Sequence, residues 1–291
     1  MITILGATGK IGGAAAKALR ERGIPTRAVV RDRTKADRLT SLGCEIVVAD
    51  MLDRAALSRT MAGADAVLGL CPISPKTENV LDDARRLTES LAGALETARP
   101  RHAVVISDYG AHVPEGTGIT LLFHHLEARL AALPVTMTFL RSAEHMQNWA
   151  RQIPVALKTG TLPTLHHPIT KTFPTVSAFD VGVVAAELLA TPPRHEKPRT
   201  VHVEGPVRYS SIDVARAIET VVEKPIAAAP LPREQWEAVL RGGGVNDTYA
   251  RAVAEMQDAH NAGRIDVEPG GEVVLGKTGI ATVVDAAIRK R

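Results

Sequence analysis

The sequence is short of aromatic residues, cysteine and long apolar runs. Four Phe, two Trp and three Tyr make up 3% of 291 residues, too few for the stacking platform that single-stranded nucleic acids need. The only cysteines, Cys44 and Cys71, are isolated thiols at strand-like positions. That excludes a disulfide framework and suits a reducing cytoplasm. No apolar run reaches the length of a membrane span, and the first core strand begins at the N-terminus, which leaves no room for a signal peptide. The net charge of +3 comes without a basic run, so neither nucleic acid nor a membrane is an expected partner. The expectation is a soluble, cytoplasmic protein. Apolar residues at 45% and charged residues at 23% are ordinary for a globular chain.

What is present is concentrated in the first twelve residues. Ile2, Thr3, Ile4 and Leu5 form an apolar, β-branched run too short for a helix, which reads as a buried parallel strand. Gly6, Gly9 and Gly12 follow at three-residue spacing, and from Ile11 an apolar stripe through Ala15, Ala18 and Leu19 has the period of a helix. A strand, a glycine turn and a helix are the context that makes a glycine pattern a dinucleotide site. Gly6 serves the sharp turn, Gly9 lets a pyrophosphate approach the backbone, and Gly12 lets the helix lie close to the sheet. The helix N-terminus then faces the phosphates with free N–H groups and the positive end of its dipole.

The second strand, Thr26 to Val30, ends in Arg31-Asp-Arg33-Thr-Lys35. In a dinucleotide fold the residue after this strand faces the adenosine ribose. An acidic side chain there binds a free 2′-hydroxyl, and an arginine accommodates a 2′-phosphate. Arg31 stands at that place, with Arg33 and Lys35 adding positive charge, so NADP(H) is expected over NAD(H). Asp50 closes the third strand, Glu45 to Ala49. It reads either as a hydrogen-bond partner for the adenine amino group or as turn chemistry.

Further strands are expected at Ala64–Cys71, His102–Ser107 and Pro134–Leu140, each followed or preceded by a helical pattern. Ser107, Asp108 and Tyr109 fall at the carboxyl tip of the fifth strand, on the ligand side of an open sheet. Six strands within 140 residues imply an α/β fold, a doubly wound, mostly parallel, Rossmann-like sheet. Beyond Trp149 the alternation weakens. Residues 158–176 read as irregular loop. Helices are expected at Phe179–Leu189, Ser211–Glu223, Pro232–Leu240, Val245–Asn261 and Thr278–Arg289, with extended runs at Arg199–Glu204 and Lys224–Ala229. The expected division is an NADP-binding core over 1–150 and a smaller mixed α/β lobe over 151–291 that covers the substrate, with some segments returning to the core.

Several stretches together resemble the NmrA-like group of atypical short-chain dehydrogenases. They are Gly6-Ala-Thr-Gly9-Lys-Ile-Gly12, the Arg31 turn, Asp50, Ser107-x-x-Gly-Ala111, the His-His-x-Glu helix, and Leu140-Arg141 followed by Met146-Gln-Asn148. Asp180-Val-Gly182 and Glu204-Gly-Pro206 extend the resemblance along essentially the whole chain. It implies cofactor contacts at Thr8, Lys10, Ile11, Arg31, Asp50 and the segment Leu70, Cys71 and Pro72. The chain departs from the classical short-chain enzymes in its catalytic pair, Tyr-x-x-x-Lys. Four residues after Tyr109, Tyr209 and Tyr249 stand Val113, Asp213 and Val253, and no lysine occurs between Lys76 and Lys158.

The groups left near the expected nicotinamide are Ser107, Tyr109, His124 and His125. A histidine is the natural proton donor at neutral pH, but adjacent helical residues diverge by about 100°, so His124 and His125 cannot face the cofactor equally. The bland alternative is one packed ring and one exposed ring. No zinc-ligand spacing is present, and no metal is expected. The function expected is NADPH-dependent reduction of a quinone or conjugated carbonyl by direct hydride transfer, on a small apolar or aromatic substrate, by a monomer or homodimer. The alternatives are a non-catalytic NADP(H)-sensing regulator with a protein partner, and a biosynthetic tailoring reductase.

Overall fold

The computed structural model of the protein describes residues 1–191 and 197–289. Its strands, in chain order, are β1 (Ile2–Ile4), β2 (Thr26–Val30), β3 (Glu45–Val48), β4 (Ala66–Gly69), β5 (His102–Asp108) and β6 (Thr136–Ser142). Then come β7 (Glu144–His145), β8 (Thr161–Thr164), β9 (Thr175–Val176), β10 (Arg199–Glu204), β11 (Ala227–Pro230) and β12 (Glu272–Leu275). Eight of them form one sheet in the order β12-β10-β6-β5-β4-β1-β2-β3, and every pairing in it is parallel.

Strands buried on both faces need apolar residues at every position. Sequences such as Ala66-Val-Leu-Gly69 and Ala103-Val-Val-Ile106 meet that need. On one face α1 (Lys10–Glu21) and α7 (Ala178–Ala190) pack through Ala15, Leu19, Val181 and Ala185 against Ile4, Leu68, Val104 and Leu140. The two helices cross closely, since a Cβ on Gly182 would come within 2.4 Å of the Ile11 carbonyl. On the other face lie α3 (Arg54–Met61), α4 (Val80–Ala98) and α5 (Leu121–Ala131), with Leu57, Leu91, Leu95, Leu126 and Leu130 buried against Val67, Val105 and Phe139. Helices on both faces make the sheet doubly wound.

Residues beyond 150 do two things. β10 and β12 add to the β6 side of the main sheet. A separate apolar cluster of Trp149, Ile153, Leu162, Val214, Ile218 and Val283 joins α6 (Ile153–Thr159), α8 (Ser211–Val222) and α11 (Ile280–Arg289) to the β8–β11 pair. The helix α10 (Asp247–Asn261) lies across the turn Gly118–Thr120, so closely that a Cβ on Gly118 would meet the Ala252 carbonyl at 2.1 Å.

Three differences from the sequence reading are informative. The stretch 158–176 contains β8 and β9 rather than loop alone, because partners distant in sequence supply their ladders. β12, four residues between glycines, shows no periodicity and exists because β10 offers it an edge. The fourth strand is shorter than Ala64–Cys71, as pairing stops at Gly69 and the chain turns away through Leu70 to Pro72.

Candidate active site

A cleft of about 330 Å3 runs along the carboxyl ends of β1, β2, β3 and β4. Gly6, Thr8, Gly9, Lys10, Ile11 and Gly12 line it, with Val29, Val30 and Arg31 at the end of β2, Ala49 and Met51 past β3, and Leu70 and Pro72 past β4. Gly6 turns the chain at φ +60°. Gly12 is where helix meets turn: a Cβ there would lie 2.6 Å from the Gly6 carbonyl oxygen and 2.9 Å from Ala7 Cα. The first turn of α1 begins at Gly9, which offers no side-chain cap, and holds no acidic residue. Its leading N–H groups therefore remain available to an anion.

At the β2 tip Arg31 is exposed and lines the cleft. Asp32, the acidic residue beside it, is committed elsewhere. Its carboxylate accepts from the Thr34 backbone at 3.0 Å and from the Thr34 hydroxyl at 2.7 Å, capping the short turn Arg33–Lys35. Those bonds hold its pKa below the ordinary aspartate value. The side chain that would bind a free 2′-hydroxyl is thus turned onto its own loop. Arg33 and Lys35 are exposed on that turn and do not line the cleft. Asp50 is also exposed, with its carboxylate accepting from the Leu52 N–H at 2.8 Å.

Several residues singled out from sequence point away from the cleft. Cys71 lies between the lining residues Leu70 and Pro72 but packs with the α3–α5 cluster, where burial pushes its thiol up to about 12. Ser107 sits on the α5 face of β5 and donates to Glu127 Oε1 at 2.5 Å. Glu127 is in turn held by a two-pronged ion pair with Arg141, at 2.9 and 2.7 Å, and Arg141 reaches on to Glu268 at 2.7 Å. Tyr109 is 0% exposed, edge-on to His202 at 5.3 Å, and among the described residues its hydroxyl makes no well-formed hydrogen bond, with Glu204 nearby. Burial, reinforced by Glu204, pushes its pKa up. His124 and His125 lie on α5, across the sheet from α1 and α7. His124 is half-buried with Nδ1 at 2.8 Å from the Ala111 carbonyl, and His125 is exposed. Neither lines the cleft.

The titratable side chain that does close this end of the cleft is His145, which the sequence reading passed over. It is the last residue of β7, held by Ser142 Oγ at 3.0 Å from its Nε2. Burial brings its pKa down to about 4, against the pull of Glu144 and with help from Lys10, so the ring is neutral. The signal available was its position three residues past the sixth strand's tip, inside the stretch between Arg141 and Met146. Ala178, the other lining residue from beyond the core strands, is fixed by Gln147, which accepts from its N–H at 2.9 Å.

The turn, the cleft and the all-parallel sheet have known counterparts, and residues 1–279 match the model of the NmrA-like family. The chain belongs to the NmrA-like family. Among curated relatives, an NAD(P)H azoreductase of Xenophilus azovorans is 26% identical over 258 residues, covering 88% of this chain and 86% of its own. A (4-alkanoyl-5-oxo-2,5-dihydrofuran-3-yl)methyl phosphate reductase of Streptomyces griseus is 30% identical over 233 residues, 78% of this chain and 75% of its own. The fold of this NmrA-like chain matches the NADPH-dependent quinone oxidoreductase of Escherichia coli complexed with NADPH, with TM-score 0.80 and 21% identity over 99% of this chain and 100% of that one. It also matches the triphenylmethane reductase of Citrobacter sp. complexed with NADP(H), with TM-score 0.78 and 19% identity over the same shares. Among the described residues no helix is long and apolar enough to cross a membrane.

Proposed function

We propose that this NmrA-like protein is an NADPH-dependent oxidoreductase acting on a readily reduced acceptor, such as a quinone, an azo group or a conjugated carbonyl. The observation that carries the reading is the cleft itself: an uncapped helix N-terminus over Gly6–Gly12, with Arg31 at the β2 tip and Asp32 diverted onto Thr34. These residues fit the group. The α1 N–H groups and the glycine backbone suit a pyrophosphate, and Arg31, flanked by Arg33 and Lys35, suits a 2′-phosphate. Both curated relatives named above are reductases, one of them of azo compounds.

Bound NADPH supplies the hydride. The chain supplies the rest. Leu70, Pro72 and Ala178 shield the far end of the cleft, and His145 presents a neutral ring there. Residues past 150 frame the acceptor side. Stopped-flow loss of NADPH absorbance against a panel of quinones and azo dyes tests the reading. Acceptor-dependent oxidation is the expected result, and its absence across the panel rejects it. One observation favours the second reading, an NADP(H)-sensing regulator without turnover: the usual Tyr–Lys pair is missing and Tyr109 is sealed in the core. Equal affinity for oxidised and reduced cofactor with no turnover would decide for that alternative.

A further inference from the structure

Asp108 is the last residue of β5, at the carboxyl end of the sheet. Side chains alternate along a strand. Ser107 faces α5, whereas Ile106, two residues before Asp108, packs with Ile4, Leu68 and Leu140 on the α1–α7 side. Asp108 therefore shares that side. It is in register with Ser142 of β6, the residue that holds His145 on the cleft. On its other flank Val105 pairs with Gly69, so the tip of β5 lies beside the turn that carries Leu70 and Pro72. In the strand order Asp108 thus stands between two segments that line the cleft, at the end away from Arg31, next to the lining residues rather than among them.

The groups around it push two nearby carboxyls in opposite directions. Burial raises the Asp108 pKa to about 7, helped by Glu144 and Glu127 and opposed by the Thr120 hydroxyl and the Tyr109 backbone. Thr120 Oγ donates to its Oδ2 at 2.6 Å. For Glu144, burial works in the same upward direction, but His166 at 3.0 Å, with His260 and His145, holds it below the usual range. Tyr249 of α10 is within electrostatic reach of Asp108 and of Arg151. Glu127 is already paired with Arg141. Paired titratable groups driven apart by their surroundings are the recurring mark of an acid assignment in an active site.

We propose that Asp108 is the proton donor of the reductase, passing the proton of its carboxyl group to the acceptor at the far end of the cleft. The inference rests on the reductase reading above. A quinone gains one hydride from NADPH and one proton from Asp108, giving the hydroquinone, NADP+ and an Asp108 carboxylate that regains its proton from water. An azo group takes the same hydride and proton at its two nitrogens and becomes a hydrazine. Transfer from this carboxyl to a phenol-type oxygen is downhill, since such oxygens have pKa values near ~10. No tyrosine–lysine pair is required.

The test uses the full chain saturated with NADPH, with a water-soluble benzoquinone and a sulfonated azo dye as acceptors. Asp108→Asn keeps an oxygen for the Thr120 hydroxyl and loses the proton. Its kcat should fall by about 10²–10⁴-fold, the range for a general acid, while the Kd of NADPH stays put. Wild-type kcat should decline as the pH passes about 7, and that limb should vanish in the variant. Carboxyl-carbon NMR of the wild type with NADP+ bound should show Asp108 titrating near about 7. That readout needs no turnover, and it stands even if the variant fails to fold. Unchanged kcat in Asp108→Asn, a basic limb that persists in it, or a carboxyl already ionised at pH 5 overturns the proposal alone. A wild type that binds NADPH and reduces neither acceptor overturns the reductase reading, and the proton donor with it.

Discussion

The two ends of the cleft are built from different material. The end proposed for the phosphates is backbone: Gly6, Gly9, Gly12 and the uncapped first turn of α1, all within twelve consecutive residues. The far end is side chains from segments far apart in sequence: Leu70 and Pro72 past β4, His145 past β6 with Ser142 holding it, and Ala178 at the start of α7. Behind it, on the opposite face, Arg141 locks β6 to α5 through Glu127 and to the segment after α10 through Glu268. A backbone site tolerates almost any side chain that points away from it, and almost no atom added to it. A side-chain site behaves the other way: its members are replaceable in shape but not in charge or protonation.

The largest effect should come from breaking the lock behind the far end. Arg141→Ala leaves Glu127, 8% exposed, buried without its partner. Removing one member of a buried ion pair costs about 3–5 kcal/mol. Calorimetry should show Tm falling by roughly 10 °C, and the double variant Arg141→Met with Glu127→Leu should recover much of it. A single variant as stable as the wild type would show that the network carries no strain-bearing charge.

Arg31→Ala probes the phosphate end without touching the fold. Losing a charge-assisted hydrogen bond of about 1.5–3 kcal/mol weakens NADPH about 10–100-fold, and leaves NADH where it was. An unchanged NADPH-to-NADH preference, read by fluorescence titration, would remove the 2′-phosphate assignment. Next come the glycines, which separate stability from binding. Gly12→Val forces a side chain into the Gly6 carbonyl, and overpacking of this kind costs about 1–3 kcal/mol. Tm and cofactor binding should fall together. A Cβ on Gly9 meets only the Gly6 carbonyl, at 3.2 Å, so Gly9→Val should keep its circular dichroism and Tm while NADPH binding is lost. A Gly9→Val protein that binds normally would contradict the pyrophosphate site.

The smallest effect is expected at Tyr109. Its buried hydroxyl makes no well-formed hydrogen bond among the described residues, with only Glu204 near it, and deleting so weakly held a polar group changes stability by at most about 1 kcal/mol. Tyr109→Phe should keep its turnover and its Tm. A collapse of kcat there would return the enzyme to a tyrosine mechanism and erase the contrast between the two ends.

The sequence by itself determined the sheet and the glycine turn that lines one end of the cleft. Alternating apolar strands and helical stripes located β1 to β6, because a parallel sheet buried on both faces leaves a continuous apolar imprint. The glycine turn and Arg31 were legible because everything they need is local: one strand, one turn, one helix N-terminus. The roles of Ser107, Tyr109, His124 and His125 were not, since strand alternation and helix facing, settled only by packing, turn Ser107 onto Glu127 and His124 onto Ala111. His145 left no pattern in the sequence, because nothing within its own segment says that Ser142 will hold it on the cleft. The separate behaviour of Asp108 and Glu144 was decided by the tertiary structure alone. Identical carboxyl chemistry is pushed up by burial at Asp108, against the Thr120 hydroxyl, and held down by His166 and His260 at Glu144 only when those residues are folded around them, because desolvation and neighbouring charge exist only in the packed state.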